Sequence, residues 1–224
     1  IGIMYFILAV WSGLMGTMVS VVMRLELGSV GAFLADDHLY NMLVSSHAIL
    51  MIFFLVMPIS MGGFGNWLIP VMLGIGDMAF PRLNNFSFWL LPVSLSLLMM
   101  SMLTGGAGTG WTIYPPLSTS MYSSGVSVDL MVLSLHVAGL SSILASINML
   151  STVWGTCKVS GVSFEKLTLF TWSIMVTSGL IILTVPVLAA ALTMLLMDRN
   201  MMTTFFDPAG GGSAVMYQHL FWFF

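Results

Sequence analysis

The chain has 224 residues, of which 58% are hydrophobic and only 6% are charged, whereas about 25% of residues are charged in a typical soluble domain. This composition excludes a soluble globular enzyme. With only five Lys or Arg residues and a net charge of −3, the chain also lacks the basic surface that nucleic-acid binding requires. The composition is that of a polytopic membrane protein.

Charge-free runs divide the chain into predicted membrane helices. A bilayer core of about 30 Å needs about 20 apolar helical residues, whereas barrel strands alternate over about 10 residues. The sequence therefore predicts an all-α transmembrane bundle with five complete spans and the start of a sixth. The predicted spans are 3–23, 40–70, 86–103, 128–154 and 168–197, and the sixth begins near residue 214.

The second predicted span is longer than one membrane crossing requires. It contains Pro58, Pro70 and the glycine-rich segment 62–65, so we expect the helix to bend there or to continue past the membrane face. The segment 104–126 is rich in Gly, Pro and Ser, which predicts an ordered loop outside the membrane.

His47 lies inside the second predicted span, about two turns after Asn41, among apolar helical neighbours. An ionisable side chain at that depth is costly and marks a functional candidate. A neutral imidazole in an apolar helix bundle suits a haem iron. The alternative is a core histidine that is hydrogen-bonded to a neighbouring helix, and the residues alone leave both interpretations open.

The fourth predicted span carries Ser127, Ser134, Ser141 and Asn148 at intervals of seven residues, and Ser142 widens this stripe. Seven residues are nearly two helical turns, so the side chains share one face of the helix. A stripe of hydroxyls and an amide can order a file of water for protons. Small residues are also usual where transmembrane helices pack, and packing is the more common case.

Asp77 follows the second predicted span, and the amides of Asn66 and Asn84 lie near it in the sequence. A carboxylate at a membrane face, beside amides that point inward, can collect protons. The alternative is a solvated loop charge that pairs with Arg82, and on the residues alone this is the more common case.

Several other residues have simple structural interpretations or none. Arg24 at the end of the first span suits a snorkelling anchor, and Trp111 suits the aromatic belt at a membrane interface. The sequence assigns no role to His136 or His219. The single cysteine, Cys157, forms neither an internal disulfide nor a Cys-based metal site.

Long motifs in the chain resemble the subunit I family of the haem-copper oxidases, and among these the mitochondrial cytochrome c oxidases. The resemblance extends over essentially the whole chain. The motifs are His47-Ala48 and the segments 62–67, 77–82, 105–111, 114–116, 198–200, 203–212 and 217–222.

The resemblance implies that residues 1–224 are the N-terminal half of a single twelve-helix domain, incomplete at both ends. Ile1 in place of Met, and an apolar stretch at the end of the chain, also lead us to expect a piece of a longer protein. The family continues with Gly-His-Pro-Glu, which carries the first copper ligand. The chain alone is therefore expected to be inactive towards oxygen.

The resemblance also implies roles for individual residues. His47 would be one of two axial ligands of the low-spin haem a. Arg24 would approach the formyl group of that haem, and Trp111 and Tyr114 would lie near haem propionates. No catalytic residue would lie within this chain.

Asp77 would be the mouth of a proton path, by the same resemblance. The residues lining the path would be Tyr5, Asn66, Asn84, Ser127, Ser134, Ser141, Ser142 and Asn148. Met131 stands where the family often has a hydroxyl, which breaks one link of the path unless water bridges it. Glu26 and Gly31 match a peripheral cation site.

The implied function is that of a proton-pumping terminal oxidase of the mitochondrial inner membrane. Electrons would pass from cytochrome c through a partner subunit with copper A to haem a, and then to a centre of haem a3 and copper B, where O2 becomes water. The complete subunit would also hold Mg and a Ca or Na ion, contact further oxidase subunits and lie in the lipid bilayer. The rivals are a quinol-oxidising relative, a secondary transporter with broken helices and a purely structural membrane subunit.

Overall fold

The chain folds as a helical bundle in the computed structural model, which describes residues 1–28, 30–31, 33–160 and 163–224. Its helices are α1 (Gly2–Gly28), α2 (Asp37–Leu73), α3 (Pro81–Leu103), α4 (Val126–Ser160), α5 (Leu169–Asn200) and α6 (Ala214–Phe223). Helices α1 to α5 are long and apolar enough to cross a membrane. This confirms the predicted all-α class with five spans, and α6 begins where the sixth was expected.

The helix boundaries follow local chemistry. The Asp36 carboxylate accepts hydrogen bonds from the N–H groups of His38 and Leu39 and so caps the start of α2. That cap satisfies backbone donors that would otherwise have no helical partner. At the other end of α2, Gly74 adopts φ 66°, a left-handed conformation that glycine accepts without a steric penalty.

The middle of α2 departs from regular α-helical geometry. It is π-helical over Leu50–Val56 and Pro58–Gly65, and the N–H of Met57 donates to the carbonyl of Ile52, five residues back. Proline has no N–H to donate within a helix. The irregularity expected from the sequence is this π-helical section, which is wider than an α-helix. Helix α2 continues through the widened section to Leu73.

Glycines allow α1 to lie close to this widened section. A Cβ atom on Gly62 would stand 2.1 Å from the Tyr5 ring, and one on Gly63 would stand 2.6 Å from the Phe6 ring. Any larger residue at either position would separate the two helices.

Helices α3 and α4 run antiparallel, and serines spaced seven residues apart on each of them meet in pairs. Each pair is joined by a hydroxyl that donates to a main-chain carbonyl of the opposite helix, at 2.6 or 2.7 Å. The pairs are Ser87 with Ser141, Ser94 with Ser134, and Ser101 with Ser127.

The connections place two sets of loops at opposite ends of the bundle. We call the end formed by residues 104–125 and 201–213 the loop end, and the end formed by residues 74–80 and 163–168 the Asp77 end. Arg24 lies towards the loop end because α1 runs from the Asp77 end to the loop end.

Candidate functional site

The imidazole of His47 is fixed by the main chain of α1. Its Nδ1 atom lies 2.8 Å from the carbonyl oxygen of Gly16. A carbonyl only accepts, so Nδ1 carries a proton, and in the neutral imidazole the lone pair of Nε2 is then free. Within the part of the chain that the structure describes, Nε2 has no hydrogen-bond partner.

This hydrogen bond fits a metal-binding histidine. Histidines that bind metals commonly donate their second ring N–H to a carbonyl or carboxylate, which fixes both the tautomer and the ring orientation. His47 is half-buried among apolar residues of α2, a setting that suits haem ligation. The same bond would also satisfy a core histidine, so it fits the iron-ligand role without requiring it.

Gly16 makes this contact possible because it has no side chain. A Cβ at this position would lie 2.6 Å from the sulfur of Met51, one turn after His47. Glycine therefore lets the α1 backbone approach α2 closely enough for its carbonyl to reach the imidazole.

Trp111 and Tyr114 lie in the loop 104–125 and pack against α6. The ring of Trp111 meets the edge of Phe221 at 5.4 Å between centroids, and the ring of Tyr114 lies 5.8 Å from that of Tyr217. Arg24 is about 12 Å along α1 from Gly16, at 1.5 Å per residue. These candidates share the half of the bundle nearer the loop end, and no hydrogen bond joins them among the described residues.

The loop that carries Trp111 is attached to the start of α2 near His47. Gly110 donates its N–H to the hydroxyl of Ser45 at 3.0 Å, and the ring of His38 bonds the Gly105 carbonyl at 2.9 Å. Gly106 has φ 73°, and a Cβ there would stand 2.0 Å from the Met42 sulfur. The loop thus depends on glycine to lie flat on α2.

The predicted cation site contains one fixed carboxylate. Oε2 of Glu26 accepts the N–H groups of Phe33 at 3.0 Å and Leu34 at 2.7 Å. Gly31, which lies between Glu26 and Phe33 in the sequence, has φ 104°. No group of three or more His, Cys, Asp or Glu side chains comes together in the described part of the chain. The cation site stays a prediction.

The segment around Asp77 is held on α4 by two side chains. Ala79 donates its N–H to the Thr152 hydroxyl at 2.9 Å, and Phe80 donates to Oδ1 of Asn148 at 2.9 Å. Asp77 and Thr152 line an open cleft of about 410 Å³. No ion pair forms between Asp77 and Arg82 in the described residues, so the carboxylate faces this cleft without a cationic partner.

Thr152 was not identified from the sequence as a residue that holds the segment around Asp77. It lies one turn beyond Asn148, and its own hydroxyl proton goes to the Asn148 carbonyl at 2.6 Å. The signal was present, because Asn148 and Thr152 are four residues apart and so share one face of α4.

Three predicted path residues carry buried polar atoms without a protein partner. These atoms are Oδ1 of Asn66, Oδ1 of Asn84 and Nδ2 of Asn148. Buried polar atoms nearly always have a partner in the protein or in ordered water, and a buried water typically makes about three such bonds. The amides near Asp77 are therefore chemically suited to hold water.

A hydrogen-bonded chain links Asn84 to Tyr5. The Ser87 hydroxyl donates to the Asn84 carbonyl at 2.8 Å and lies 2.9 Å from the Tyr5 hydroxyl. Since Ser87 has one proton to give, Tyr5 is the donor in the second bond. Tyr5, Ser141 and Ser142 line a small cavity of about 20 Å³, so the structure brings these three predicted residues together.

The serines nearer the loop end have a different setting. The Ser134 hydroxyl donates across to α3, and the Ser127 carbonyl accepts from α3. Met131 lies between them on α4 and is 1% exposed, packed in the core. These contacts serve helix packing, and a role for Ser127 and Ser134 in proton transfer stays a prediction.

The two histidines without an assigned role have different environments. His136 bonds the Val132 carbonyl in its own helix and the Thr193 hydroxyl on α5, at 2.9 and 3.0 Å. His219 is exposed on α6.

A family model described as Cytochrome C and Quinol oxidase polypeptide I matches residues 1–224. The chain belongs to this family. Its described helices are consistent with the membrane helix bundle of the family, and they make the chain a multi-pass membrane protein. The description covers both cytochrome c and quinol oxidases, so it does not choose between the two electron donors.

Curated relatives are similar along the full length of the chain. It is 54% identical to "Cytochrome c oxidase subunit 1" of Pecten maximus, 52% to that of Mytilus edulis and 50% to that of Eremothecium gossypii, each over 100% of this chain. The chain spans 47%, 41% and 42% of the length of these relatives, respectively.

Proposed function

We propose that this chain is the N-terminal half of the catalytic subunit of a cytochrome c oxidase of the mitochondrial inner membrane. In the complete enzyme, electrons from cytochrome c enter through the copper A subunit and are used, with haem a, haem a3 and copper B, to reduce O2 to water while protons are pumped. The ligands of haem a3 and copper B are expected outside this chain. The identity of 50–54%, over the whole of this chain, to three relatives named as subunit 1 of this enzyme supports the choice.

The bond between His47 and Gly16 carries the structural part of this proposal. It fixes the ring so that Nε2 of His47, which has no hydrogen-bond partner among the described residues, is available to a ligand in an apolar part of the bundle. His47 would hold the haem a iron, with Arg24 near the formyl group of that haem, and Trp111 and Tyr114 would lie near haem propionates towards the loop end. Haem a supplies one-electron redox chemistry when it is bound.

Protons would enter on the opposite side, at Asp77. Its carboxylate faces the cleft at the Asp77 end, and Asn66, Asn84 and Asn148 carry the polar atoms that can hold water behind it. Tyr5, Ser141 and Ser142 would continue the path at the small cavity. The electron and proton sites would therefore lie towards opposite ends of the bundle.

The test uses the whole oxidase with His47→Ala, and His136→Ala as the matched control. Both histidines lie within membrane-spanning helices, but His136 already has protein partners on both ring nitrogens. We expect H47A to lose the haem a absorbance and H136A to keep it. A normal haem a content in assembled H47A would overturn the assignment of the ligand.

The quinol-oxidising alternative is tested by the electron donor. The family description includes quinol oxidases, so this alternative differs from the proposal in the donor and not in the fold. We expect the whole enzyme to oxidise reduced cytochrome c. Turnover with quinol and none with cytochrome c would replace the proposal with the alternative.

A further inference from the structure

Arg199 is the penultimate residue of α5, and all three nitrogens of its guanidinium make hydrogen bonds. Its side chain is 2% exposed. Nε donates to Oδ1 of Asp129 at 2.6 Å, Nη1 donates to the carbonyls of Ser118 and Ser123 at 2.6 and 2.8 Å, and Nη2 donates to the Gly125 carbonyl at 2.9 Å.

These bonds join three parts of the loop end. Asp129 lies in the first turn of α4, Arg199 lies in the last turn of α5, and the three carbonyls belong to the segment 118–125 between α3 and α4. A buried guanidinium is stable only when its charge is paired and its donors are used. The planar fork of arginine reaches several acceptors at once, whereas the ammonium of lysine is a point charge on a flexible stem.

The same segment continues to Tyr114. Ser118, whose carbonyl Arg199 binds, donates its own N–H to the Tyr114 carbonyl at 3.2 Å. On the other side of Tyr114, the Thr112 carbonyl accepts the hydroxyl of Tyr217 at 3.0 Å. Segment 112–118 is thus fixed at both ends, and Tyr114 stands between the two attachments.

We propose that Arg199 is a positioning residue for haem a, acting through Ser118 on Tyr114 and on the neighbouring Trp111. The inference rests on the proposed function, in which these two side chains lie at the edge of the haem. Arg199 itself acts from a distance, because its hydrogen bonds go to Asp129 and to carbonyls of the loop. Arg199 affects electron transfer because it holds the conformation of segment 112–118.

The experiment compares Arg199→Lys with the parent in the whole oxidase. Hydrogen exchange of the amides in segment 112–118 reports whether the segment is held, and the midpoint potential of haem a reports the consequence at the redox site. We expect the Ser118 amide to exchange at least tenfold faster in R199K and the haem a potential to shift. Arg82→Lys is the matched control, because the same chemical change at the Asp77 end should leave both values unchanged.

Asp129→Asn is a second, milder variant. It keeps an oxygen acceptor for Nε but removes the negative charge, so we expect smaller changes in the same direction. If R199K does not assemble, D129N decides the question by the same two measurements.

Two results would overturn the inference. Unchanged exchange in segment 112–118 would mean that Arg199 does not hold it. Faster exchange with an unchanged haem a potential would make Arg199 a structural residue only. Absence of haem a from the parent enzyme would instead refute the proposed function, so the two failures are distinguishable.

Discussion

Ser94 and Ser134 donate their hydroxyl protons to each other's main-chain carbonyls across the contact between α3 and α4, at 2.6 and 2.7 Å. Both protons are therefore used in holding the helices together. A hydroxyl relays a proton only if it can release one donor bond and form another. This pair is fully buried, and each proton already has a short bond to a carbonyl.

Ser134→Ala in the whole oxidase tests this packing role. We expect a loss of stability of about 1 kcal/mol or less, because interhelical hydrogen bonds in membranes average about 0.6 kcal/mol. Turnover and the proton-to-electron ratio should stay unchanged, and thermal inactivation should be slightly faster. Reduced pumping at unchanged stability would instead place Ser134 in the proton path.

Gly16→Ala should weaken the site at His47. The added methyl would stand 2.6 Å from the Met51 sulfur, so the Met51 side chain or the α1 backbone must shift, and a shift of α1 lengthens the bond from His47 to the Gly16 carbonyl. We expect reduced haem a content in the purified oxidase, measured by its absorbance.

A second substitution and a control make this prediction specific. Met51→Ala removes the side chain that the new methyl meets, so the double variant G16A/M51A should regain much of the haem a. Gly28→Ala adds the same methyl where no atom lies within 4 Å and should have no effect. Equal haem loss in G28A and G16A would refute the steric argument.

Asp77→Asn should slow proton uptake in the whole oxidase. Asparagine keeps the size of the side chain but cannot exchange a proton at neutral pH, and proton transfer by a positioned group is typically worth a factor of about 100 or more. We expect at least about tenfold lower turnover and impaired pumping, measured by oxygen consumption and by acidification outside proteoliposomes.

Asp37→Asn is the matched control for Asp77, since it removes an exposed carboxylate in the first turn of α2, at the opposite end of the bundle. It should leave turnover unchanged. Normal turnover and normal pumping stoichiometry in D77N would remove Asp77 from the proposed path.

Thr152→Val should act on the same path indirectly. Valine keeps the shape of threonine but offers no acceptor to the Ala79 N–H, so the bond that holds this segment on α4 is lost. The segment carrying Asp77 would then shift from α4, so turnover should fall by less than in D77N. Thr17→Val is the control, because its hydroxyl bonds only within its own helix, and it should match the parent.

The sequence predicted the helices well because membrane spans depend on local composition. The charge-free runs that predicted spans 3–23 and 168–197 correspond to helices Gly2–Gly28 and Leu169–Asn200. Both observed helices end several residues after the predicted spans, since the backbone remains helical outside the apolar core.

The partners of the predicted residues could not be predicted, because they depend on which helices become neighbours. The spacing of Ser127, Ser134 and Ser141 placed them on one face of α4, but it did not predict that this face packs on α3. Ser87, Ser94 and Ser101 have the same spacing and would have suggested the match. Pro58 and the glycines after it signalled an irregular section in α2 but not its π-helical form. The loop bonds of Arg199 had no comparable signal, because they depend on contacts between distant segments.

The repeated spacing of seven residues in α3 and α4 has a consequence for how these helices can change over evolution. One residue added to or removed from the middle of either helix rotates everything beyond it by about 100°. Serine pairs beyond that point would then lose their register together, and their hydroxyls would turn away from their carbonyls. These two helices can therefore accept many substitutions on the faces that meet lipid, but their length between the first and last serine pair is fixed.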